Sequence, residues 1–262
     1  MKLSIVLLTW DSRQFIPACL ESLAPQPPHD KELIVVDNGS TDGSPQLVRR
    51  LWPSARVVAN TANRGVGPAR NQGLALARGE QVLVLDIDTV ARPGALAALS
   101  AAMDAAPDVG VFGARLEDPE GRLQYTCRVF PTLWSKLGRQ LPVGLGRRVL
   151  RQSELRDWDH ASPRDVGYVI GACQLLRRAA LDAVGGYDDR IFYGPEDVDL
   201  CLRMWRAGWR VRYEPAAVFT HYERRIARGA PWRSPLARAH AAGLAWYFWK
   251  HRYLLRAPRF GV

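Results

Sequence analysis

Short apolar runs alternate with amphipathic segments along the first 113 residues. The runs at residues 3–9 and 33–36 are continuous, which is typical of strands buried on both faces. Between them, residues 12–24 repeat their apolar positions at helical spacing and stop before Pro25. Further strands are predicted near residues 56, 82 and 109, and further helices at 44–51, 67–78 and 93–103. This alternation predicts an α/β fold with a mostly parallel central sheet and helices on both faces.

The pattern is less regular after residue 113. A hairpin turn is predicted at residues 117–121, and residues 131–165 read as a variable excursion. The remaining predicted elements are strands at 166–172 and 210–213 and helices at 177–184, 196–207 and 235–254. We therefore predict a smaller mixed half over 114–225 and a C-terminal helical segment over 226–262.

Polar residues follow the predicted parallel strands. These positions are Thr9 and Asp11, then Asp37, then Asn63, then Asp86 and Asp88. Ligands of parallel sheets bind at the carboxyl ends of the strands, so these side chains stand where a ligand is expected. The glycines at 65 and 67, after Asn63, suit close approach of a phosphate or sugar nucleotide, although such glycines also serve ordinary turns.

Asp86 and Asp88 stand two positions apart at a strand end. In an extended segment both carboxylates project from one face, which suits a hard divalent cation that bridges two phosphates. The alternative is a pair of turn-forming aspartates at the mouth of the sheet.

Glu196 and Asp197 follow Pro195 at the predicted start of a helix. The helix dipole stabilises acidic residues there, and one of the two could instead serve as a general base. His221 either closes a strand as a neutral side chain or binds a metal.

The net charge of +10 is concentrated at the C-terminus. Residues 200–262 hold 13 Lys and Arg against 2 Asp and Glu. The predicted helix over 235–254 interleaves basic and aromatic residues, which favours peripheral contact with an anionic membrane. The alternatives are a solvated basic face and a helix docked on the core. We expect no nucleic-acid partner, because no nucleic-acid motif accompanies the charge.

The four cysteines are widely separated and form no C-x-x-C pair. A hydrophobic content of 47% excludes a disordered chain. The first ten residues have no cleavage site and read as a strand, and no apolar run is long enough to span a bilayer. A cytoplasmic protein is expected.

Several segments in their order along the chain resemble bacterial family 2 glycosyltransferases of GT-A fold. The resemblance is to the rhamnosyltransferase-type branch that builds cell-surface polysaccharides. The matching segments are 4–12, 32–44, 63–65, 69–73, 85–89, 171–173, 177–178, 184–188 and 195–201.

The resemblance implies a role for each matching position. Thr9, Asp37 and Arg70 are expected to hold the nucleotide, in a nucleotide-binding half over 1–113 that also includes Asp11 and Asn63. Residues 114–225 would form the acceptor-side half, with Glu196 near the substrate. Asp86 and Asp88 match the metal and diphosphate motif, His221 completes the metal site in some relatives, and Asp197 matches the catalytic base.

The implied reaction is an inverting displacement that depends on Mn²⁺ or Mg²⁺. The donor would be a dTDP- or UDP-sugar, with rhamnose or another hexose, and the acceptor a glycan or polyprenyl-linked glycan. The branch often has Asn-Pro-Asp where this chain has Asp86-Ile87-Asp88, and the additional carboxylate favours metal dependence. The alternative is a non-catalytic relative that binds a nucleotide sugar or lipid in an assembly complex.

Overall fold

The computed structural model describes residues 1–137, 143–223 and 234–260. The strands are β1 (Leu3–Thr9), β2 (Lys31–Asp37), β3 (Arg56–Ala59), β4 (Gln81–Asp86), β5 (Thr89–Ala91), β6 (Val109–Glu117), β7 (Leu123–Gln124), β8 (Cys127–Arg128), β9 (Arg164–Asp165), β10 (Tyr168–Val169), β11 (Cys173–Arg177) and β12 (Arg210–His221). The helices are α1 (Ile16–Leu23), α2 (Ser44–Leu51), α3 (Val66–Leu76), α4 (Ala95–Ala105), α5 (Leu133–Leu137), α6 (Val143–Ser153), α7 (Arg178–Val184), α8 (Glu196–Arg206) and α9 (Pro235–His251).

One mixed sheet runs through the molecule in the order β3-β2-β1-β4-β11-β6-β12-β5. The strands β3, β2, β1 and β4 are mutually parallel, as the continuous apolar runs predicted. Successive residues of β1 enter different core clusters, with Ile5 and Leu7 in one and Val6 in the other. This alternation buries both faces of the sheet and confirms the predicted α/β class.

The strand predicted over 166–172 is wrong in its placement. Only Tyr168–Val169 is a strand there, and β11 begins at Cys173 and inserts antiparallel between β4 and β6. The physical reason lies in Gly171, whose carbonyl and N–H both bond to side chains instead of a neighbouring strand. In β11 the buried polar Gln174 breaks the apolar pattern. The Tyr187 hydroxyl donates a hydrogen bond to the Gln174 side-chain oxygen at 2.7 Å.

The strand predicted over 210–213 continues to His221. Glu214 and Pro215 interrupt its pattern, and the pairing with β6 shifts register between Glu214 and Val218. Beyond that irregularity, β12 pairs antiparallel with β5, which places His221 opposite Thr89. This extension of β12 brings His221 close to Asp88, because Thr89 directly follows Asp88.

The predicted hairpin is confirmed, since β7 pairs antiparallel with the end of β6. Helices α5 and α6 occupy part of the segment 131–165, where no element was predicted. The predicted boundary between a main domain and a C-terminal segment at residue 225 lies outside the described residues. That division stays a prediction.

Helix α9 packs on the main body of the protein. Tyr247 is fully buried, Trp246 donates to Asp188 at 2.9 Å, and Trp249 is exposed. The aromatic run therefore splits between core and solvent, as four consecutive aromatics on a helix must. None of the described helices combines the length and apolar character needed to cross a bilayer.

Candidate active site

The turn after β4 brings two carboxylates and one imidazole together. Asp86 ends β4, Asp88 precedes β5, and the β5–β12 pairing brings in His221. One ligand atom from each of the three lies within 4.8 Å of the others, and His221 Nε2 is 3.5 Å from Asp88 Oδ1. Two carboxylates and an imidazole form a donor set that suits Mn²⁺ and also accepts Mg²⁺.

Gln124 of β7 orients His221. The Gln124 amide nitrogen donates to the His221 carbonyl at 2.9 Å, and its Oε1 lies 2.8 Å from His221 Nδ1. An amide oxygen only accepts, so Nδ1 carries the proton and Nε2 faces Asp88. Burial lowers the pKa of His221, but the neighbouring Asp88 outweighs it and leaves the pKa raised. Such outer hydrogen bonds fix the tautomer of a ligating histidine.

Arg70 of α3 is buried between two carboxylates. Its guanidinium contacts Asp86 at 2.7 Å and Glu196 at 3.2 Å, and it donates to the Gly171 carbonyl at 2.8 Å. Burial lowers the pKa of Arg70, but Asp86 and the other partners raise it further than that. The charge therefore persists and ties the β4 turn to the start of α8.

Glu196 and Asp197 open α8 and hold different positions. Glu196 is buried, and its Oε2 accepts the Gly194 N–H at 2.6 Å. Asp197 is partly exposed, and its Oδ2 accepts the Gly171 N–H at 3.0 Å. Glu196 thus braces Arg70 and the helix start, while Asp197 presents a fixed carboxylate to solvent.

Glu196 gives the protein a specific pH dependence. Burial and the adjacent Asp197 raise the pKa of Glu196 from 4.5 to about 7, against the opposing effect of Arg70. Between those values the folded state binds more protons than the unfolded state, so stability falls as pH rises from about 4.5 to 7. In Glu196→Gln we expect the fall in the free energy of unfolding over this pH range to be smaller by on the order of 2 kcal/mol.

Urea unfolding at pH 5 and pH 7.5 measures this difference. The matched control is Glu80→Gln, which changes an exposed carboxylate and should follow the wild type. Equal pH dependence in Glu196→Gln and wild type would contradict the assignment.

A cavity of about 450 Å³ gathers the predicted catalytic and metal residues. Its lining includes Arg70, Asp86, Asp88, Glu196, Asp197 and His221. The carboxylates that are remote along the chain therefore face one space. The same cavity would therefore hold an electrophile bound near Asp86 and a nucleophile bound near Asp197.

Thr9 and Asp37 lie beside this cavity without lining it. They pair across the ends of β1 and β2, and both are buried. Within the described chain, Thr9 Oγ1 and Asp37 Oδ1 find no hydrogen-bond partner, whereas Asp37 Oδ2 accepts the Ser40 N–H at 3.1 Å. Buried polar atoms are normally paired, so Asp37 Oδ1 is suited to accept a hydrogen bond from a ligand, and the Thr9 hydroxyl is suited to accept or donate one.

The two other predicted binding residues hold loops together. Asp11, at a φ of 43°, accepts the Thr41 N–H at 2.8 Å and connects the loops after β1 and β2. Asn63 is exposed, and its Oδ1 accepts from the Asn38 amide and the Gly65 N–H, both at 2.9 Å. Their predicted contacts with a nucleotide stay predictions.

Sequence reasoning missed three groups at the site. Gln124 orients His221, and Lys136 of α5 and His240 of α9 also line the cavity. Helix α9 approaches Gly194 so closely that a Cβ placed on this glycine would lie 2.8 Å from His240 Nδ1. This close approach places His240 at the cavity. No local pattern connects residue 240 to residue 194, so only the tertiary structure could reveal this contact.

The sequence matches the family model described as "Glycosyl transferase family 2" over residues 4–185 and that of "Glycosyl transferase family group 2" over residues 151–256. It is 32% identical over 272 residues to the N-acetylglucosaminyl-diphospho-decaprenol L-rhamnosyltransferase of Mycobacterium tuberculosis. The alignment covers 98% of this chain and 87% of that protein.

Solved structures show the same fold. A mannosyltransferase from Pyrobaculum calidifontis, in complex with GDP-Man and Mn²⁺, aligns with a TM-score of 0.64 at 24% identity, over 98% of this chain and 66% of that one. S. aureus TarS 1-349 aligns with a TM-score of 0.60 at 22% identity, over 96% and 73%. The fold is GT-A, as the resemblance implied. The chain belongs to glycosyl transferase family 2 and is a glycosyltransferase.

Proposed function

We propose that the protein is an inverting, metal-dependent hexosyltransferase that acts in cell-surface polysaccharide synthesis. It moves rhamnose or another hexose from a dTDP- or UDP-sugar to a hydroxyl of a glycan or polyprenyl-linked glycan. The observation that carries the proposal is the single cavity shared by Asp197 and the Asp86–Asp88–His221 cluster. The relative that acts on a diphospho-decaprenol acceptor supports the acceptor class.

Asp197 is the catalytic base. Its carboxylate takes the proton of the acceptor hydroxyl, the oxygen bonds to the anomeric carbon, and the bond from that carbon to the diphosphate breaks. The Gly171 N–H holds Oδ2, which fixes the direction of the carboxylate before substrate binds. A single displacement of this kind inverts the anomeric carbon and needs no covalent enzyme intermediate.

Asp86, Asp88 and His221 would hold Mn²⁺ or Mg²⁺, and the bound ion would supply positive charge against the departing diphosphate. Arg70 keeps the Asp86 carboxylate in place through its 2.7 Å ion pair. The buried oxygens that bind the nucleoside are Thr9 Oγ1 and Asp37 Oδ1, and Asp37 binds its nucleobase. The site thus separates the roles of nucleoside binding, diphosphate binding and proton transfer.

A thermal-shift screen of nucleoside diphosphates tests donor and metal binding together. UDP or dTDP with Mn²⁺ should raise the Tm by roughly 5–10 °C at 100 times Kd, because ligand binds only the folded state. Asp88→Ala should lose the part of the shift that depends on Mn²⁺. The matched control Glu120→Ala changes an exposed turn carboxylate and should keep the full shift. A shift that is independent of Mn²⁺ in the wild type would contradict the metal assignment.

A polyprenyl-linked acceptor resides in a membrane, and the relative named for a diphospho-decaprenol acceptor supports a membrane-borne acceptor. The proposed location is the cytoplasm, at the inner face of the cell membrane. Peripheral contact of the basic C-terminal segment with anionic lipid is part of the same proposal, and the exposed Trp249 of α9 supports it.

A further inference from the structure

One recess adjoins the catalytic cavity, and a second recess lies beyond the first. The first encloses about 240 Å³ and shares Arg128, Lys136, Tyr168 and His240 with the cavity, so the two spaces are contiguous. The second encloses about 770 Å³ and shares Val129 with the first. The three spaces therefore follow one another in a fixed order, from the catalytic cavity to the larger outer recess.

The recess next to the cavity is polar and carries two cations. Arg128 and Lys136 line it together with the hydroxyl-bearing Ser135 and Ser153. Glu154 also lines it and forms ion pairs with Arg156 and, at 3.6 Å, with Arg128. Two cations can recognise phosphate oxygens, whereas the Ser135 and Ser153 hydroxyls already donate to the Thr132 and Leu150 carbonyls.

His240 stands where this recess meets the catalytic cavity. Burial, followed by the neighbouring Lys136, lowers the pKa of His240, so the imidazole is neutral near pH 7. It stacks edge-on against Tyr193, which also lines the catalytic cavity. A neutral ring at this junction leaves Arg128 and Lys136 as the cationic groups that line the recess.

The outer recess is apolar with a basic rim. Val129, Phe130, Leu255 and Pro258 line it, and Arg256 and Arg259 accompany them. Val129 and Leu255 are exposed, at 37% and 54%, so apolar surface is open to a ligand. Burying such surface under a hydrocarbon chain is favourable.

We propose that these recesses bind a lipid-linked diphosphate acceptor, with its sugar beside Asp197, its diphosphate at Lys136 and Arg128, and the start of its isoprenoid chain over Val129 and Leu255. The inference rests on the proposed function and deepens it, because it assigns residues to the acceptor's anionic linkage. The order of the recesses, catalytic then cationic then apolar, is the order of sugar, diphosphate and lipid in such a molecule.

The test compares two soluble acceptors that carry the same sugar. One is N-acetylglucosaminyl diphosphate with a short isoprenyl chain, and the other is the alkyl glycoside of N-acetylglucosamine, which lacks phosphate. Both are assayed without membranes, so binding of the protein to anionic lipid headgroups cannot change the measured rates. The full-length protein is used with Mn²⁺ and the nucleotide sugar selected by the thermal-shift screen.

In Lys136→Gln we expect the KM for the diphosphate acceptor to rise roughly 10- to 100-fold, because one charge-assisted hydrogen bond to phosphate is lost. The KM for the donor and for the alkyl glycoside should change far less than the KM for the diphosphate acceptor. Arg128→Lys keeps the charge and should retain more of the affinity than Arg128→Gln. The matched control Arg50→Gln alters an exposed arginine of α2 outside the three recesses and should match the wild type.

Several results would overturn the inference. The first is a wild-type enzyme that does not prefer the diphosphate acceptor, and the second is a Lys136→Gln enzyme that loses both acceptors equally. In either case donor hydrolysis and transfer to the alkyl glycoside would leave the proposed function intact. Absence of both donor hydrolysis and transfer in the wild type would instead overturn the proposed function, and this inference with it.

Discussion

Replacing Asp197 with Asn is expected to lower kcat for sugar transfer by roughly 10²–10⁴-fold. The amide is nearly the same shape, and its oxygen can still accept the Gly171 N–H that holds Oδ2 at 3.0 Å. It cannot take a proton from the acceptor hydroxyl, so the loss falls on the chemical step. Donor binding should be retained, because the metal-ligating cluster and the buried oxygens of Thr9 and Asp37 are untouched.

Initial rates at saturating donor and acceptor measure this effect, and the Tm shift with nucleoside diphosphate and Mn²⁺ confirms that donor binding survives. Asp182→Asn is the matched control, since Asp182 lies exposed on α7 and its contact with Arg178 is long, at 3.8 Å. Full activity in Asp197→Asn would remove Asp197 from the mechanism. Loss of the nucleotide shift would show that it acts on binding instead.

Replacing Arg70 with Met is expected to lower the free energy of unfolding by about 3–5 kcal/mol. Arg70 is 2% exposed, and its guanidinium balances Asp86 at 2.7 Å and Glu196 at 3.2 Å. Without it, the partly exposed Asp86 carboxylate, the buried Glu196 carboxylate and the Gly171 carbonyl lose this partner. Methionine fills similar volume, so the cost is chiefly electrostatic and not a cavity.

Urea unfolding of Arg70→Met and of the double variant Arg70→Met/Glu196→Gln separates these contributions. Removing the Glu196 charge should restore part of the lost stability. Arg122→Met is the matched control, because the Arg122 pairs with Asp118 and Glu120 are exposed and such pairs contribute about 0–1 kcal/mol. A loss in Arg70→Met no larger than in the control would contradict the bridging role of Arg70.

The parallel half of the fold was predictable because its strands are buried on both faces. In the continuous runs 5–8 of β1 and 33–36 of β2 every side chain is apolar, so both faces are predicted to be buried, and polar residues mark where the runs end. The antiparallel insertion of β11 was not predictable in the same way. Its buried Gln174 reads as polar, and its placement between β4 and β6 is set by long-range pairing.

The acidic members of the site were predictable from local position. Asp86 ends β4, Asp88 follows it in the turn, and Asp197 lies in the first turn of α8. The ends of strands and the starts of helices both concentrate functional polar groups. The contact between Asp88 and His221 was not predictable from spacing, because it depends on the β5–β12 pairing beyond a register shift. His240 and Lys136 reach the cavity from helices whose docking leaves no local signal.

The basic C-terminus has a structural use that composition alone does not reveal. Lys250 contacts Asp188 and Asp199 at 2.7 Å, and His251 contacts Asp199 at 2.8 Å. Burial raises the pKa of Asp199, but His251, Arg203 and Lys250 lower it well below its usual value. Part of the basic charge therefore neutralises a buried carboxylate of α8, the helix that carries Asp197.

The stereochemistry of the product tests the central claim most directly. Transfer from a nucleotide sugar of known anomeric configuration to an N-acetylglucosaminyl acceptor is followed by proton NMR of the new glycosidic linkage. A single displacement assisted by Asp197 predicts a product whose anomeric configuration is opposite to that of the donor. A product with the donor's configuration would contradict the proposed displacement and the role of Asp197 as its base.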